Sequence, residues 1–184
     1  ATLRKIKIIT IIIFLAFNNQ VMADTLFKDG FNETGNWKYI ADDVMGGVSK
    51  GKVQFKQVNG DNHAILSGEV STKNNGGFIQ IRRDLNGINL ETAKAIKIIA
   101  KGNNQKYFLH IRTNRMFLPW QYYHAEFTVN KSFNEYVIPI SSFNKSGYFI
   151  PGKINSKNIT SVGLVAYGRD HSAELHIKEI EFVK

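Results

Sequence analysis

The chain has 184 residues, with 24 lysines and arginines against 15 aspartates and glutamates, a formal net charge of +9. It contains no cysteine, which excludes disulfide staples, thiolate metal sites and an acylated cysteine as lipid anchor. The fold must hold by packing alone, and a chain of this length is one domain's worth, enough to enclose a single core.

Taken in chain order, Arg4, Lys5 and Lys7 precede an uncharged apolar run over residues 8–17, followed by Val21, Met22 and Ala23. A run of about ten residues is roughly half of what crosses a bilayer. The pattern predicts a secretory signal peptide over residues 1–23, cut before Asp24, and one domain over residues 24–184 that is periplasmic or secreted. Loss of the leader leaves 21 basic against 15 acidic residues, a charge of +6. An uncleaved leader tethering the same domain is the other reading.

Beyond the leader, period-two alternation dominates. It predicts strands over residues 52–58, 63–70, 78–83, 95–100, 107–113, 122–129, 133–140, 159–166 and 175–183. Clusters such as Asn59-Gly60-Asp61, Asn74-Asn75-Gly76-Gly77 and Gly168-Arg169-Asp170 supply the turns between them. Residues 89–95 have room for one helical turn, and no segment shows a sustained apolar stripe at helical period. The expected class is therefore an all-β sandwich. Residues 94–100 are apolar on both faces and are expected in the middle of a sheet. In the last strand, Leu175 and Ile177 have one parity and Ile180 and Phe182 the other, so a bulge near Lys178-Glu179 is needed to bury all four.

The run Asp42-Asp43-Val44-Met45-Gly46-Gly47-Val48-Ser49 is followed, in order, by Gly76-Gly77-Phe78 with Arg82, Lys101-Gly102 with Tyr107, and Arg112-Thr113. Residues 123–127, Pro139 with Phe143, and Ile159-Thr160-Ser161-Val162-Gly163 complete the series. In these blocks, from Leu26 to Phe182, the chain resembles the complex I intermediate-associated protein 30 family. The resemblance implies a galactose-binding-like jelly-roll β-sandwich of two antiparallel sheets, with neither catalysis nor a cofactor. It also implies a role like that of the mitochondrial members, which act as assembly chaperones for respiratory complex I. For an exported domain, such a contact would be with the membrane arm from its outer face.

Gly47-Val48-Ser49-Lys50-Gly51 fits the G-x-S-x-G pattern of a hydrolase nucleophile elbow, but that elbow leads into a helix and here a strand follows. A serine hydrolase at Ser49 is thus the last of three functional readings. Ser142 and Lys145 fit S-x-x-K without its companion motifs. The five histidines show no metal-binding spacing and no metal site is predicted, Asp42 and Asp43 being weak candidates for a structural calcium.

Residues 112–123 concentrate Arg112, Arg115, Phe117, Trp120 and Tyr122 between two strands. One reading is a binding surface, in which aromatic faces stack on sugars or anchor a protein and guanidinium forks take carboxylate or phosphate. The other is a loop that folds Met116, Phe117 and Trp120 back to close the core. Alternation sends Arg82 and Arg83 to opposite faces, and only Arg82 matches the family block. The candidate binding residues are Asp42, Met45, Gly46, Gly47, Arg82, Arg112, Arg115, Phe117, Trp120 and Tyr122. The partner expected first is a protein at the membrane, and the alternative is an envelope glycan. The basic charge allows peripheral contact with an anionic membrane surface, while no nucleic-acid motif is present.

Overall fold

A computed structural model describes residues 23–184, so nearly all of the expected leader lies outside the described residues. The strands are β1 (Thr25–Asp29), β2 (Trp37–Ala41), β3 (Lys50–Val58), β4 (Asp61–Val70), β5 (Phe78–Asp84) and β6 (Ala95–Gly102). They continue as β7 (Lys106–Thr113), β8 (Tyr123–Thr128), β9 (Asn134–Pro139), β10 (Asn144–Lys145), β11 (Ile159–Tyr167) and β12 (His171–Val183). Short 3-10 turns are the only helical elements among the described residues.

The strands form two six-stranded antiparallel sheets. The first runs β3-β4-β12-β6-β9, with β1 also paired to β12, and the second runs β10-β8-β7-β11-β5-β2. Alternation explains how they face each other. In the second sheet, Ile79 and Ile81, Leu109 and Ile111, and Leu164 are fully buried, and they meet Leu66, Ile96, Ile98, Leu175 and Phe182 of the first. Each such apolar side chain contributes about 1.5–3 kcal/mol on burial.

All nine expected strands form. The bulge in β12 lies where alternation required it, since the register against β6 shifts between Ile177 and Glu179. Leu175, Ile177, Ile180 and Phe182 are fully buried as a result. β6 sits inside its sheet, between β12 and β9. Residues 89–95 make a single turn, with Ala93 N donating to Leu90 O at 2.9 Å. The pattern did not indicate β1, β2 or β10, which are two to five residues long and too short to display an alternation.

Candidate functional site

Inward placement of Ile79 and Ile81 turns Phe78, Gln80 and Arg82 of β5 away from the core, and the same parity directs His110 and Arg112 of β7 and Ser161, Gly163 and Tyr167 of β11 to that outward side. Antiparallel register sets Lys38, Arg82, Gly163, His110 and His124 side by side, one from each of five adjacent strands. Gly163 is the low point of that row. A Cβ there would come within 2.8 Å of Gln80 Oε1, so the missing side chain is what gives the Gln80 amide its space. The result is a trough across the middle of the sheet, and two loops raise its walls into a cleft of about 410 Å3.

The first wall is the 3-10 turn Asp42–Met45, which carries Val44 and Met45 on the rim. Its anchor is Asp42, whose fully buried carboxylate accepts from Ser49 N (3.0 Å), Ser49 Oγ (2.5 Å), Gly77 N (2.6 Å) and Phe78 N (3.3 Å). Burial opposes its charge, but the hydrogen bonds, that of Ser49 Oγ foremost, outweigh burial and hold the carboxyl below its ordinary range. Gly46 closes the turn at φ 84°, in the left-handed region that favours glycine. At Gly47 a Cβ would lie 2.3 Å from the Asp42 Cγ, so the chain passes too close for any side chain.

The second wall is the segment between β7 and β8. Its core contact is Met116, only 7% exposed, whereas Phe117 is 85% and Trp120 61% exposed. Of the three side chains expected to close the core, only Met116 does so, and the rings of Phe117 and Trp120 stand in solvent. Arg112 determines its shape: Nη1 donates to the carbonyls of Leu118 (3.1 Å), Pro119 (3.1 Å) and Gln121 (3.0 Å), and Nη2 to that of Met116 (3.4 Å). Gln121 Oε1 accepts from Phe117 N and Leu118 N, both at 3.0 Å, and Ser146 Oγ donates to Trp120 O at 2.8 Å. The loop is therefore a braced platform for two exposed aromatic rings.

The floor is polar. Gln80 is 5% exposed, and its Oε1 has no hydrogen-bond partner; neither has His110 Nε2. The His110 ring stacks on Tyr122, with centroids 4.1 Å apart and 11° between planes. Burial, then the charges of His124 and Arg82, push the His110 pKa down to about 3, so the ring is neutral at ordinary pH and presents one donor and one acceptor nitrogen. Burial, followed by the neighbouring Tyr167, raises the Tyr122 phenol, which stays protonated.

The complex I intermediate-associated protein 30 (CIA30) family model matches residues 26–177. The chain belongs to the CIA30 family. Among curated proteins, none matches it. Among solved structures it is similar to the family 11 carbohydrate-binding module of Clostridium thermocellum in complex with a beta-1,3-1,4-mixed-linked tetrasaccharide. That match has a TM-score of 0.69 and 18% identity and covers 84% of this chain and 92% of that one. The family 11 module of the Clostridium thermocellum cellulosomal cellulase Lic26A-Cel5E matches at TM-score 0.70 and 18% identity, over 88% of this chain and 94% of that one. At that identity the likeness is one of fold, a β-sandwich in each case.

In this CIA30 domain the cleft gathers Met45, Arg82, Arg112, Phe117, Trp120 and Tyr122 of the ten candidate residues. Three others have different positions: Asp42 lies beneath the wall as its anchor, and Gly46 and Gly47 only shape the turn. Arg115 does not line the cleft; it borders a separate depression with Tyr123 and Lys153, because the loop turns between it and Phe117. Arg112 lines the cleft, but its guanidinium holds the loop's carbonyls and is not a free fork for a ligand. Arg83 takes the opposite face, where its Nε meets Asp29 Oδ2 at 2.6 Å. Sequence reasoning missed Gln80, His110, Gly163 and Tyr167, although Gln80 shares parity with Arg82, and His110 with Arg112.

Ser49 leads into β3, its hydroxyl donates to Asp42 and Ser71 O, and it accepts from Ser71 N at 2.9 Å. These bonds tie the turn to the end of β4, and the segment that follows Ser49 is the strand β3 and not the helix of a nucleophile elbow. The Asp42 carboxylate is likewise spent on protein donors. Among the described residues no three histidine or acidic side chains gather as a metal site.

Proposed function

We propose that this CIA30-family domain is a non-catalytic binding module that takes a carbohydrate in the cleft of the second sheet. The observation that carries the reading is the floor: Gln80 Oε1 and His110 Nε2 are buried and unpartnered between one aliphatic and one aromatic wall. Buried polar atoms without partners cost about 1–3 kcal/mol each, a cost that a ligand with hydroxyl groups removes. Aromatic rings around a few convergent polar groups suit a sugar, whose faces are apolar and whose edge is polar. The volume falls in the range of about 300–1,000 Å3 usual for small-ligand sites. The tetrasaccharide held by the Clostridium thermocellum module of similar fold supports the same reading. The basic, apolar N-terminal leader supports a site of action at the cell envelope or outside it.

A glycan array probed with the purified protein, wild type beside Trp120→Ala, tests this. A defined class of oligosaccharide bound by the wild type and weakened at least several-fold by the substitution is the expected result; no binding to any glycan overturns it.

A second reading, a protein partner held as by an assembly chaperone, is favoured by the rim. Val44, Met45, Phe117, Leu118 and Trp120 are all exposed there, an apolar margin suited to anchoring a protein. Family membership supports it, and the net positive charge suits a partner at an anionic membrane surface. Crosslinking in cells through Phe117, with recovery of respiratory membrane-arm subunits that Phe117→Ala abolishes, is the result this reading expects.

A further inference from the structure

We infer that the sugar bound in the cleft carries an anionic substituent, read by Arg82; the inference builds on the carbohydrate reading. The charged side chains lining the cleft are Arg82 and Arg112, and no carboxylate faces them. Arg112 spends its guanidinium on the loop carbonyls. Arg82 has no hydrogen-bond or ion-pair partner among the described residues, whereas its neighbour Arg83 is paired with Asp29 and lies 4.6 Å from the Phe27 ring centroid.

The setting of Arg82 is unfavourable for a lone cation. Burial first, then the charge of Arg112, lower its pKa from the usual arginine range. A partly desolvated guanidinium stays costly until an anion faces it, and its planar fork matches two oxygens of a carboxylate or sulfate. On the other side Arg82 also borders a smaller depression of about 250 Å3, where Lys38, its register neighbour on β2, adds a second cation. Asp84 is the one carboxylate there, and its Oδ1 already accepts from Asn86 N at 2.8 Å. Two cations therefore flank the floor on the β2–β5 side.

Neutral sugars present hydroxyls that donate as well as accept, and carboxylates are the strongest acceptors a protein can offer them. This cleft has none and offers a charged donor instead. An acceptor-only group on the ligand completes it: the carboxylate of a hexuronic acid or a sulfate ester, both oxyanions on a pyranose ring.

Isothermal titration of the purified protein with three tetrasaccharides separates the possibilities: a hexuronate oligomer, a sulfated galactan oligomer and a neutral β-glucan. At least one anionic oligomer is expected to bind about tenfold or more tighter than the neutral one at low ionic strength, with the preference shrinking as salt rises. Arg82→Gln is expected to erase the preference, weakening the anionic oligomer far more than the neutral one, while Arg82→Lys recovers part of it. A hexuronate preference identifies a carboxylate and a sulfated-galactan preference identifies a sulfate. Neutral binding equal to or tighter than both, or a preference that survives Arg82→Gln, overturns the inference while the carbohydrate reading stands. No binding of any of the three overturns both.

Discussion

The two outward faces of this sandwich share one core and are built alike, but they differ in how their polar groups are satisfied. On the first sheet, charges answer each other: Lys28 meets Glu179 at 3.0 Å, Lys178 meets Asp61 at 2.9 Å, and Lys97 lies between Glu135 at 3.7 Å and Glu181 at 3.6 Å. On the second sheet, the Lys106–Glu126 pair at 3.1 Å lies at the end of β7 remote from Arg112. The middle of that face has an unpaired arginine, two unpartnered buried polar atoms and a ring of aromatics. Exposed ion pairs add at most about 1 kcal/mol each, so the first face is not the more stable for them, and it too has a buried nitrogen without a partner, His63 Nε2, whose ring packs edge-on against Phe133 with centroids 5.1 Å apart. The second face is incomplete by itself, and the incompleteness is held in place by Asp42 and Arg112.

The comparison breaks most severely at Asp42. Asp42→Ala should cost about 3 kcal/mol or more, measured as the fall in urea midpoint, because buried donors at Ser49, Gly77 and Phe78 lose one common acceptor. A change below 0.5 kcal/mol, a rough limit for an ordinary surface position, would show that the turn does not depend on that carboxylate.

Arg112→Ala comes next, with an expected loss of about 1–2 kcal/mol and a larger fractional loss of ligand affinity, since four loop carbonyls lose their common donor. Hydrogen exchange at Phe117 and Leu118 should accelerate; protection as in the wild type would refute the bracing role. Trp120→Ala and Phe117→Ala should leave stability within about 0.5 kcal/mol, because both rings are already in solvent, yet weaken binding several-fold. A large stability loss in either would return that ring to the core.

Acidification acts on the polar floor itself. The unfolded His110 takes up a proton near its ordinary value of 6.5, whereas the folded ring resists until about 3. Its contribution to stability is therefore complete above 6.5 and is lost progressively as pH falls towards 3. His63, His124 and His171 are also lowered, chiefly by burial, and act in the same direction. The melting temperature should fall with acidification, and His110→Asn should flatten the slope between pH 6.5 and 4; an unchanged slope would contradict neutral burial of that ring.

Alternation made the fold legible, down to the bulge at residues 177–179, because a period-two pattern reports which side chains the core must bury. It could not show which outward face would remain unsatisfied. That depends on register, which sets Arg82, Gly163 and His110 in one row although about 80 residues separate the first two. The segment around Arg112 was recognisable from its aromatics, yet the roles within it divided in space. Met116 went to the core, Phe117 and Trp120 to the rim, and the Arg112 guanidinium to the backbone. Gln80 and His110 carried a signal in their shared parity with Arg82 and Arg112, which a strand-by-strand reading of parity would have used. Arg115 has the same chemistry as Arg112 but lies within the turn that Met116 N closes on Thr113 O, and composition could not tell them apart.

The most direct test is an amide and methyl chemical-shift titration of the isotopically labelled protein with the oligosaccharide it binds most tightly. The account predicts shifts centred on Gln80, His110, Gly163 and Tyr167 and on the Trp120 indole, with the Lys97 and Glu179 face silent. Shifts centred on the first sheet, or spread evenly over both faces, would contradict it.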